Sequence, residues 1–99
     1  MNVKRIKQIR INNTIFKIKW DAKNEGANFN YRKGLIIIGT EDKDRIFEFI
    51  CHELFEIVAI EMNVRFCRPD CPQDYIFMYD HRQHDTMMSM FSSLVKQFL

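Results

Sequence analysis

The sequence predicts an α+β fold: a small, mainly antiparallel sheet packed on one central helix, with a C-terminal helix closing the other side. Three observations predict it. Within Thr14 to Trp20, Phe16, Ile18 and Trp20 alternate with Lys17 and Lys19, the period of a half-buried strand. Leu35-Ile36-Ile37-Ile38 is an unbroken apolar run between Gly34 and Gly39, which reads as a strand covered on both faces. Two later stretches, from Ile46 to Val58 and from Met87 to Phe98, repeat their apolar residues at helical spacing.

The elements follow in order. Val3 to Ile11 reads as a partner strand to Thr14–Trp20, joined by Asn12-Asn13, a pair that tolerates positive φ. Ile6 and Ile9 break the alternation, which predicts a bulge or a loose edge there. Residues 21–26 are polar and form a loop; Phe29 and Tyr31 mark a short strand, and Lys33-Gly34 a turn. A helix is expected from about Thr40 to Asn63, opened by Glu41, Asp42 and Asp44 where the helix dipole favours acids. On a wheel of about 100° per residue, Ile46, Phe47, Ile50, Leu54, Ile57 and Val58 share one face. His52 and Glu56 fall nearly opposite, about 40° from each other. Arg68 to Pro72 breaks the chain, Tyr75 to Tyr79 reads as an aromatic strand, and Asp80 with Gln83 forms a capping box for the last helix.

Ninety-nine residues make a single domain, 1–99, with room for one core. A hydrophobic share of 46% with nine phenylalanines argues against disorder. No apolar run approaches the length of a membrane span, and no hydrophobic leader opens the chain. Three cysteines, an odd number, suit a reduced, cytoplasmic protein better than a disulfide scaffold. The net charge of +2 is uneven: Lys4, Arg5, Lys7, Arg10, Lys17 and Lys19 stand in the first twenty residues without an acid, leaving −4 for the rest. Such an arm suits nucleic acid or an acidic partner. Its bases alternate with apolar residues, however, which favours the solvent face of a hairpin over a nucleic-acid surface.

The densest chemistry lies in FICHELFEI, residues 49–57. His52-Glu53-Leu54-Phe55-Glu56 opens like the zinc motif H-E-x-x-H, with a glutamate in place of the second histidine. A carboxylate four residues on reaches the same ion as an imidazole, so His52 and Glu56 are candidate ligands and Glu53 the candidate general base. The third ligand of a His2Glu set falls to His81 or His84, the remaining histidines. His84 is in phase with Met87, Met88 and Phe91 and faces inward; His81 ends the alternation Tyr75, Phe77, Tyr79. Phase favours His84. Zinc suits two imidazoles and a carboxylate, and another divalent metal such as iron or manganese is compatible. The plainer alternative is a polar i,i+4 contact worth a few tenths of a kcal/mol, roughly. A rival site is Cys67-x3-Cys71 with His81 and His84, a Cys/His zinc-binding module that leaves His52 idle. Cys51 reads as packing.

Together, the apolar strand, the acidic helix start, FICHELFEIVAIEMNVRF and DYIFMYDHRQHDTMMSMF resemble small zincin-like proteins of phage and prophage type, over roughly residues 29–99. In that family a HExxE helix precedes a strand ending in a single histidine. The resemblance implies ligands at His52, Glu56 and His81, with Glu53 in the catalytic place; the position of His84 is usually aromatic there. The expected function is a zinc-dependent hydrolase acting on a peptide or protein, with Phe29 and Tyr31 in an edge strand beside the metal. The alternative is a non-catalytic phage accessory protein or a Cys/His module touching nucleic acid through its basic hairpin.

Overall fold

The chain was analysed as a computed structural model, which describes residues 2–99. Six strands and two helices form: β1 (Gln8–Ile11), β2 (Thr14–Asp21), β3 (Ala27–Asn30), β4 (Leu35–Gly39), α1 (Ile46–Glu61), β5 (Arg65–Cys67), β6 (Tyr75–Phe77) and α2 (His81–Lys96). The expected α+β class is the one observed.

The main sheet has the order β1-β2-β4-β3. β1 pairs antiparallel with β2 across the Asn12-Asn13 turn, where Asn12 takes φ +53°. β2 runs parallel to β4, and β3 pairs antiparallel with β4 from the far side. The chain therefore skips a place after β2, and β3 becomes an edge strand. β5 and β6 form a separate antiparallel ribbon.

One face of the sheet carries the core. Ile9 and Ile11, Phe16 and Ile18, and Ile36 and Ile38 are buried in a single cluster with Ile50, Leu54 and Ile57 of α1 and Met87 and Leu94 of α2. Both helices thus lie on the same side. The expectation that β4 is covered on both faces is not met. Leu35 and Ile37 are only half-buried on the outer face, beside their register partners Lys17 and Lys19. An unbroken apolar run here marks a central strand, whose outward side chains are shielded by neighbours in the sheet rather than by a second layer.

α1 begins later than the acidic residues suggest. Thr40 donates to the Asp21 carbonyl at 2.9 Å and Glu41 to that of Asn24 at 3.1 Å, so both stay on the β2–β3 loop. Gly39 permits this approach: a Cβ there would strike the carbonyl oxygens of Asn24 and Gly26. Asp42 then caps a single 3-10 turn, Lys43–Arg45, by accepting from the Asp44 amide. At the other end Asn63, at φ +57°, turns the chain so that Val64 donates to Ala59, an αL termination. The expected capping box of α2 is present, with Asp80 Oδ1 accepting from the Gln83 amide at 2.8 Å and Gln83 Oε1 from that of Asp80 at 2.9 Å. β1 covers only the end of the expected Val3–Ile11 strand. Ile6 holds its place differently, by accepting the indole N–H of Trp20 at 2.9 Å. No described helix is long and apolar enough to cross a membrane.

Candidate metal centre

Glu53 breaks the pattern of α1. On the same wheel it lies about 20° from Ile46 and about 40° from Ile57, at the edge of the apolar face. The structure buries it accordingly, at 5% exposure, between the helix and Ala27 and Phe29 of β3. No described residue donates a hydrogen bond to its carboxylate. Burial pushes its pKa up from the usual carboxylate range; Glu56 pushes the same way, while His52 and Arg65 oppose. Its oxygens open only onto the groove, so a largely desolvated carboxylate here costs free energy that water or a ligand in the groove has to offset.

One position earlier and three later, the same helix turns two donors outward. His52 Nε2 lies 3.1 Å from Glu56 Oε2, the i,i+4 geometry the spacing predicts. One ligand atom from each of His52, Glu53 and Glu56 can be chosen so that all lie within 4.8 Å of one another. The second oxygen of Glu56 is occupied. Arg65, the first residue of β5, brings Nε to 3.5 Å from Glu56 Oε1. That is an ion pair by distance, yet the geometry is not a hydrogen bond, and Nε is buried without a partner. The Arg65 guanidinium sits 3.6 Å above the Tyr75 ring and 5.5 Å from that of Phe29. Arg65 therefore pins Glu56 on one side and leaves its other oxygen beside His52.

These groups line a groove of about 510 Å³ between α1 and the β3 edge, bounded by Ala27 to Tyr31, His52, Glu53, Glu56, Arg65 and Tyr75. Tyr31 closes it toward the end of α1, donating to Glu61 Oε1 at 2.5 Å; that bond drives the phenol pKa up to about 12. Across the His52–Glu56 ridge lies a second cleft, of about 530 Å³, walled by Phe55, Phe77 and Phe91. The ridge thus separates a polar groove from an apolar one.

The α2 histidines stand apart. His81 is 90% exposed and faces Asp85 at 3.7 Å, while His84 stacks between Tyr79 and His81 with centroids 6.0 and 6.4 Å away. Neither belongs to the His52–Glu53–Glu56 group, and His84 is exposed rather than inward-facing. Cys67 and Cys71 are free and exposed, and join no cluster of metal donors among the described residues. Cys51 is half-buried, its thiol pKa raised by desolvation. Sequence reasoning reached His52, Glu53 and Glu56, but it missed the burial of Glu53 and the part played by Arg65. The first had a signal, since the wheel already places Glu53 among isoleucines. Arg65 had none, because its partners come from three elements.

The donor set suits a divalent cation of borderline softness, with His52 Nε2 and Glu56 Oε2 converging and Arg65 holding Glu56 in orientation. Compared with protein-family models, curated proteins and solved structures, the chain matches none.

Proposed function

We propose that this domain is a metal-dependent hydrolase, with zinc as its ion and a peptide as its substrate. The observation that carries the reading is Glu53: a largely desolvated carboxylate without a hydrogen-bond donor, at the edge of the apolar helix face, beside two converging metal donors on the wall of a groove. His52 and Glu56 supply two ligands, and His81 the third, with His84 as the alternative. Either histidine has to close in on the α1 pair when metal binds, and the exposed Asp85 contact that holds His81 costs little to break.

A zinc ion in this place supplies a Lewis acid that lowers the pKa of water and polarises a carbonyl. Glu53 takes the proton of the attacking water and passes it to the leaving amine, a task that its raised pKa favours. Arg65 fixes the Glu56 carboxylate. The outer edge of β3 is unpaired among the described strands, and an extended peptide can add to it along the groove. The exposed positions of His81 and His84 favour a second reading, in which the α1 donors hold a metal without turnover.

Metal analysis after dialysis against zinc, combined with a peptide-cleavage screen, tests both. Wild type and Glu53→Gln should each retain one zinc and His52→Ala none. Cleavage should fall by about 100-fold or more in Glu53→Gln, the size of a lost general base. A wild type without zinc sinks the metal readings; zinc without cleavage leaves the non-catalytic one.

A further inference from the structure

Arg65 pairs with Glu56 by charge alone, at 3.5 Å, and its hydrogen-bonding capacity is left unspent. Its side chain is only 15% exposed, Nε is buried without a hydrogen-bond partner, and the terminal nitrogens donate to no described residue. A solvated surface arginine needs no partner, because water serves it. This one is clamped between Tyr75 and Phe29, and it lines the groove next to the His52–Glu56 pair. Stacking on an aromatic face fixes the plane of the guanidinium, and a fixed fork is the arrangement that recognises planar anions.

We propose that Arg65 anchors a carboxylate of the ligand, and that the groove selects peptides presenting one beside the bond at the ridge. The inference rests on the reading of this groove as a substrate site, and it names the substrate class. Three features point to a carboxylate in particular. The site holds one guanidinium, with no lysine or second arginine lining the groove. Glu53 and Glu56 stand close by, so a phosphate dianion meets two acids, whereas a single-charged, planar carboxylate matches the fork. The contacts are also short-range: Arg65 to Glu56 at 3.5 Å, then Glu56 to His52 at 3.1 Å. A group held by Arg65 is therefore one side chain away from the ligand pair. The carboxylate comes either from the end of a peptide or from an Asp or Glu side chain.

The two sources are separable with three probes: N-acetyl-dialanine as the free acid, the same peptide as its amide, and N-acetyl-Glu-Ala amide. Each is titrated into the metal-free full chain while the ring resonances of Tyr75, Phe29 and His52 are followed by NMR. At least one of the two carboxylate-bearing probes should bind about tenfold or more tightly than the dialanine amide, as a charge-assisted bond implies. The tighter of the two identifies the source. In Arg65→Met that preference should vanish, and in Arg65→Lys, which keeps the charge but loses the fork, it should shrink. Equal affinity of acid and amide for the wild type overturns the proposal without reliance on any variant; so does failure of both carboxylate probes to bind, or a preference that survives in folded Arg65→Met. Because no metal or turnover enters the measurement, a carboxylate preference in a protein that binds no zinc would separate this inference from the hydrolase reading.

Discussion

On α1, His52 Nε2 lies 3.1 Å from Glu56; on α2, His81 Nδ1 lies 3.7 Å from Asp85. Both pairs have the same i,i+4 spacing, yet their surroundings differ in every respect that matters for chemistry. His52 and Glu56 stand beside a buried glutamate, a clamped arginine and two clefts. His81 and Asp85 are 90% and 68% exposed, with water for a neighbour. Spacing along a helix is a local property, whereas desolvation and convergence of charges come from the sheet and the β5–β6 ribbon. α2 obeys its amphipathic pattern from Met87 onward, and α1 violates its own at Glu53. The violation has no hydrogen-bond donor to satisfy it, and such positions are where function is to be sought.

The largest expected difference between the two pairs is in metal affinity. His52→Ala should weaken zinc binding, read by competition with a chromophoric chelator, by more than the roughly 10- to 100-fold typical of residues that merely support a ligand. His81→Ala should weaken it clearly, and His84→Ala little. Equal losses from His52→Ala and His81→Ala would show that the two helices close on one ion, which breaks the contrast drawn from the metal-free arrangement. Loss from His84→Ala instead would move the third ligand one turn along α2.

Next comes stability and its pH dependence in the metal-free protein. Burial raises the folded-state pKa of Glu53, so its ionisation disfavours the folded state. Stability is therefore full below the ordinary carboxylate range and is lost as the pH rises through the raised value. Glu53→Gln removes that loss. Urea unfolding should show the variant ahead by about 1 kcal/mol or more at pH 7.5, the scale of a buried polar group left unpaired, with the gap closing near the ordinary carboxylate pKa of about 4. Asp85→Asn, its exposed counterpart, should stay within about 0.5 kcal/mol at both values. A Glu53→Gln that is less stable at pH 7.5 would mean the carboxylate has a partner. The local signal of α2 is tested at a similar scale: Asp80→Ala removes the capping box and should cost about 1 kcal/mol.

How much was legible follows the same division. The alternation of Phe16, Ile18 and Trp20, the Asn12 turn and the Asp80–Gln83 box are set by neighbours in sequence, and each appears as read. The position of β3 outside β4 is not local: it depends on a parallel pairing that no residue in 27–39 announces. Leu35 and Ile37 misled because an apolar side chain in a central strand is shielded laterally, which one-dimensional pattern cannot distinguish from a second layer. His84 misled for a related reason. Its phase matches Met87, but it lies in the first turn of α2, beyond the reach of the core, where stacking on Tyr79 replaces burial.

The smallest effect concerns how the two helices are tethered. α1 ends against the sheet through its own side chains: Tyr31 donates to Glu61 Oε1 at 2.5 Å and Asn12 to Oε2 at 3.1 Å, so one carboxylate ties the turn after β3 and the β1–β2 turn to the helix. α2 has only a long contact of this sort, from Gln97 to the Arg10 carbonyl at 3.4 Å. The Tyr31 bond keeps the phenol protonated, with its pKa pushed to about 12, so its contribution is complete below the ordinary tyrosine range and fades only as the pH climbs beyond it. Absorbance titration should find one of the three tyrosines ionising late, and that late step should be missing from Tyr31→Phe. The bond is exposed, so the stability cost near neutrality should be no more than about 1 kcal/mol. Its value lies elsewhere: with the end of the groove untied, the β3 edge gains freedom relative to α1, and faster amide exchange at Phe29 and Asn30 without a matching change in α2 would locate that freedom at the site rather than in the fold as a whole.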